Sequence, residues 1–175
     1  MPALPRRLGT MISIGVVMSV LAACAGQRTP PAEATISEAP PPWAAPRDAI
    51  SWIELAGLEP ERLDTTTNQR IIELRVIVDG QPVEVPAYIG VDRVRALQAS
   101  AHTHDATGKV WLEGGQAREV TVGQFFTLWG VRLDEDCLGA TCGGTRITAE
   151  RGGSVSDADT ALALGDAEVI TVEVG

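Results

Sequence analysis

Hydrophobic and polar positions alternate most clearly in three stretches. Ile72, Leu74, Val76 and Val78 alternate with Glu73, Arg75 and Ile77, the period of a strand with one face buried. Asp79-Gly80 supplies a tight turn, and Val83 and Val85 resume the alternation before Pro86, which predicts a β-hairpin with an edge strand. A second hairpin is predicted from Val110 and Leu112, through Gly114-Gly115, to Val120 and Val122. Two further strands are expected at Thr145 to Ala149 and at Glu168 to Val174, where Ile170, Val172 and Val174 alternate with Thr171 and Glu173.

Helical spacing occurs twice. Ile50, Trp52, Ile53 and Leu58 allow a short helix stopped by Gly57 and Pro60. Val122, Phe125 and Trp129 fall on one helical face, with Thr121 and Gln124 at capping-box spacing before them and Gly130 as the stop. This aromatic stripe reads as core rather than as a ligand pocket. The fold class expected is α+β, mostly β: two hairpins, one short helix and C-terminal strands around a β-grasp-like core.

The first residues change the picture of where this domain resides. Arg6 and Arg7 precede an uncharged run from Leu8 to Ala23, and Leu21-Ala22-Ala23-Cys24 closes it. Sixteen residues at about 1.5 Å rise fall short of a hydrocarbon core of roughly 30 Å, so residues 1–23 read as a signal peptide rather than a span. The closing tetrapeptide resembles the lipobox of bacterial lipoproteins. That resemblance implies acylation of Cys24 and a lipid anchor, palmitate-type chains holding the chain at the cell membrane or outer membrane. Residues 24–47 hold six prolines and only Ile36 and Trp43 as large apolar residues, a composition that predicts a disordered tether, with the globular domain at 48–175.

The 175 residues carry 14 Lys+Arg against 23 Asp+Glu. An acid excess of this size disfavours nucleic acid, whose phosphates are bound by basic side chains. It also disfavours adhesion to anionic head groups, which leaves lipid as the anchor. Cys137 and Cys142 sit close together in a Gly-rich loop and are expected to form a disulfide outside the cytoplasm.

Both histidines lie in His102-Thr103-His104-Asp105-Ala106-Thr107-Gly108. In an extended segment His102 and His104 point to one side, where they could bind Zn²⁺ or Cu²⁺ with Asp105 or Glu113 as a third ligand. The alternative is a polar loop in which Asp105 and Thr107 bond the local backbone and Gly108 turns the chain into the next strand. The segment His102 to Glu113, followed by Thr121-Val122-Gly123-Gln124-Phe125-Phe126-Thr127-Leu128-Trp129-Gly130, resembles an uncharacterised family of exported bacterial proteins. Its pattern runs HTHD, two variable residues, G, then an H-x-E-S strand and an LGQFF-x-x-WG helix. This chain has Trp111 where that family often carries a further His, and Gln69, Ile71 and Glu73 where its first strand is His-rich.

No nucleophile elbow, P-loop or dinucleotide fingerprint occurs in the sequence. The sequence therefore ranks a lipid-anchored interaction module with an unidentified envelope partner first, and a metal-binding lipoprotein second.

Overall fold

The computed structural model describes residues 34–175, all within one unit, Pro31–Gly175. The expected signal peptide, residues 1–23, and Cys24 lie outside the described residues. Among those described, no helix is long and apolar enough to cross a membrane.

The chain enters through helix α1 (Ala49–Leu55) and strand β1 (Glu61–Arg62). It then forms the longest strand, β2 (Arg70–Val78), whose residues Ile72, Leu74, Val76 and Val78 are buried as their alternation predicts. Strand β3 (Gln81–Val83) folds back on β2, with Val78 opposite Gln81 across the Asp79-Gly80 turn. Three short strands follow: β4 (Val91–Asp92), β5 (Leu97–Gln98) and β6 (Ala101–His102). β1, β5 and β4 make a small separate sheet.

Strand β7 (Lys109–Leu112) departs from the sequence expectation. It does not pair with Val120 and Val122. It pairs with β6 before it and with β2, so the second hairpin is β6–β7 and closes through the His104–Gly108 loop. The physical reason lies on both sides of β7. Val120 accepts from the Leu164 amide instead of joining β7, and Gly108 takes φ +80° where a Cβ would stand 2.7 Å from the Leu74 carbonyl oxygen. Only glycine tolerates that approach, so the chain turns there.

Helix α2 (Val122–Trp129) follows with the expected capping box, Thr121 Oγ1 accepting from the Gln124 amide and Gln124 Oε1 accepting from the Thr121 amide. Gly130 ends it at φ +73°. Val122, Phe125, Phe126, Leu128 and Trp129 are all buried, so the aromatic stripe is core. Strands β8 (Cys137–Leu138) and β9 (Thr141–Cys142) form a two-stranded ribbon closed by the Cys137–Cys142 disulfide.

Strands β10 (Thr145–Arg151) and β11 (Ser154–Ala158) form a hairpin, a 3₁₀ turn spans Leu164–Asp166, and β12 (Val169–Val174) ends the chain. β12 lies between β10 and β2 and runs parallel to β2, from Val169 opposite Glu73 to Val174 opposite Val78. The sheet order β11-β10-β12-β2-β7-β6, with the β2–β3 hairpin beside a parallel terminal strand, gives the β-grasp-like core of a mostly β, α+β fold.

The proline-rich segment also departs from its expectation over the part described. Residues 34–47 are not a free tether. Ser37 bridges Val131, and Trp43 is only 5% exposed, its Nε1 donating to the Ala39 carbonyl. Burying an indole against the core offsets the ordering entropy of a short proline-stiffened strap. The domain therefore begins before residue 48.

Candidate functional site

The site forms on the face of the β6–β7 pair opposite Ala101, Val110 and Leu112. His102 stands opposite Trp111, and two residues farther along the pair the Glu113 amide donates to the Ser100 carbonyl. Alternation along both strands sends Ala101, Val110 and Leu112 into the core and His102, Trp111 and Glu113 to the other side. His104, two residues beyond His102, joins them.

The His102 ring is fully buried. Its Nδ1 lies 2.9 Å from the Ala99 carbonyl oxygen, which can only accept, so Nδ1 carries the proton. Nε2 of the neutral ring is then a lone pair, directed at His104 Nε2 at 3.2 Å and Glu113 Oε2 at 3.5 Å. Burial pushes the His102 pKa below its ordinary value and the His104 ring adds to this, against the opposing pull of the Ala99 hydrogen bond and the Glu113 carboxylate. His102 is thus held in the neutral state that a metal ligand requires.

Glu113 is almost as buried, and its Oε1 accepts from Gln69 Nε2. His104 is exposed and stands edge-on to the Trp111 ring at 4.9 Å between centroids. In its Nε2–H form it donates to His102. In its Nδ1–H form it turns a second lone pair toward the same point.

These donors fit a small divalent cation. Ligands at about 2.0–2.1 Å from a tetrahedral Zn²⁺ are roughly 3.3 Å apart, and the His102–His104 and His102–Glu113 separations bracket that edge. All three donor atoms lie within 4.8 Å of one another, so an ion held by all three needs the widest gap to close as it binds. Two imidazoles and a carboxylate suit Zn²⁺ or Cu²⁺.

Asp105 does not join this group. Its Oδ1 accepts from the Thr107 amide and hydroxyl at 3.0 and 2.5 Å, bonds that hold its carboxyl below the usual range. Asp105 and Thr107 thus shape the loop as its polar reading expects, while the two histidines face Glu113. Thr103 points away from the pair, donating to the Pro86 carbonyl and accepting from the Ile89 amide, which ties the end of β6 to its neighbouring loop.

Gln69 and the Ala99 carbonyl were not legible as partners of the site. Gln69 sits one residue before β2, and only the register Arg70 opposite Leu112 brings it beside Glu113. Comparison with known proteins finds no matching family model, no matching curated protein and no matching solved structure.

Proposed function

We propose that the protein is a lipid-anchored lipoprotein of the bacterial cell envelope whose extracytoplasmic domain binds a divalent transition metal, Zn²⁺ or Cu²⁺, through His102, His104 and Glu113. The ligand of the binding module is then the metal itself. The observation that carries this reading is the 3.2 Å approach of the two Nε2 atoms, one of them buried and fixed as a lone pair by the Ala99 carbonyl, beside the buried Glu113 carboxylate. A carbonyl behind the imidazole is the usual outer-shell partner of a ligating histidine. Three protein ligands leave one coordination position for water or an incoming group, on the exposed His104 side.

Anchoring rests on Arg6, Arg7, the apolar run and Cys24. The Cys137–Cys142 disulfide is in keeping with an oxidising compartment.

Calorimetric titration of the full chain in mild detergent at neutral pH tests the metal claim. One-to-one binding tighter than about 1 μM is expected, lost in both His102→Ala and His104→Ala. Equal affinity in the wild type and both variants contradicts it.

A further inference from the structure

A second polar site lies at the end of the sheet where β2 begins and β10 ends. Arg70 opens β2, Arg151 closes β10, and Arg118 stands in the turn after β7; together they line a cleft of about 410 Å³. That volume is within the range of small-molecule sites. Asp166 is the only acid in its lining, so the cleft carries a formal charge near +2 on a chain whose net charge is −9.

No carboxylate among the described residues neutralises these arginines through an ion pair. Ion pairs of arginine among the described residues use Arg62, Arg75, Arg95 and Arg132, and none of the three cleft arginines. Arg70 Nη2 donates to the Ala167 carbonyl at 3.1 Å, which holds that guanidinium at the rim. Asn68 and Gln69 also line the cleft, and their amide nitrogens are engaged with the Gly114 carbonyl and with Glu113. Their amide oxygens remain as acceptors, as does the Asp166 carboxylate.

We propose that this cleft binds a polyol phosphate monoester, such as a sugar phosphate. Guanidinium forks match phosphate oxygens, and a monoester carries about −1.5 to −2 charges at neutral pH, which balances the cleft. The acceptors from Asn68, Gln69 and Asp166 take the hydroxyls of the polyol. An inorganic ion would leave these acceptors unused, and a neutral sugar would leave the three guanidinium groups unpaired.

The test uses the full chain in mild detergent with a chelator present, so that its result is independent of the metal site. Glucose 6-phosphate should bind one to one with a dissociation constant below about 1 mM, weakening as salt rises. Arg118→Gln and Arg151→Gln, both at exposed positions, should each weaken it by about tenfold or more with unchanged circular dichroism, and inorganic phosphate and glucose should bind more weakly. Phosphatidylcholine vesicles carrying phosphatidylinositol 4-phosphate distinguish the source: displacement of glucose 6-phosphate assigns the site to a phosphorylated lipid headgroup, and no displacement assigns it to a free ester. No saturation up to about 10 mM, variants that bind like the wild type, or glucose binding as tightly as its phosphate would each overturn the proposal.

Discussion

Trp43 stands edge-on to Trp129 at 5.6 Å between ring centroids, and Trp129 Nε1 donates to the Trp43 carbonyl at 3.2 Å. The strap and the aromatic helix α2 thus share one packing unit. Trp43→Ala should destabilise the domain by about 3–5 kcal/mol, the usual loss for a buried aromatic. Urea unfolding measures it, and a loss below about 1 kcal/mol would mean that the strap is detached in solution.

The Cys137–Cys142 bridge closes a small loop with a sequence separation of five. Loop-closure entropy for so short a ring gives about 2 kcal/mol. Denaturant midpoints with and without reductant should differ accordingly, and thiol alkylation of the unfolded, unreduced chain should label neither cysteine.

Burial lowers the His102 pKa, and this has a signed consequence for stability. Above about pH 6.5 the ring is neutral in both folded and unfolded chains and contributes no pH dependence. As pH falls below that value the unfolded chain takes up a proton that the folded chain resists, so stability drops. Metal-free wild type should therefore lose stability between pH 7 and pH 5, and His102→Gln should show a flatter profile over the same window.

Cys24→Ala should leave an unprocessed precursor without attached lipid, because acylation uses that thiol. Mass spectrometry of the membrane fraction reads this directly. Normal acylated product from the variant would remove the anchor from the account.

Local pattern made some elements legible and left others hidden. The β2–β3 hairpin, the capping box of α2 and the last strand follow from alternation, turn residues and helical spacing that neighbouring residues carry by themselves. The hairpin partner of β7 does not, because Gly114-Gly115 looks like a hairpin turn, while the strand that makes the hairpin, β6, is the two-residue strand Ala101–His102. The packing of Trp43 stays hidden for a related reason: proline-rich composition describes the cost of ordering the strap, and the indole site that offsets it is formed with Trp129, more than eighty positions away. The same-side placement of His102 and His104 was legible from alternation, and Glu113 was legible as a candidate. Choosing Glu113 over Asp105 required the β6–β7 register, since Asp105 is nearer in sequence but turns to Thr107.

In the proposed function His102, His104 and Glu113 share one metal ion. X-ray absorption of the full chain, loaded with Zn²⁺ and desalted, measures its ligands most directly. The expected spectrum has a first shell of nitrogen and oxygen donors at about 2.0–2.1 Å, with the outer-shell scattering of two imidazoles that falls away in His102→Ala. A shell without imidazole, a sulfur shell at about 2.3 Å, or a sample that keeps no zinc after desalting would contradict it.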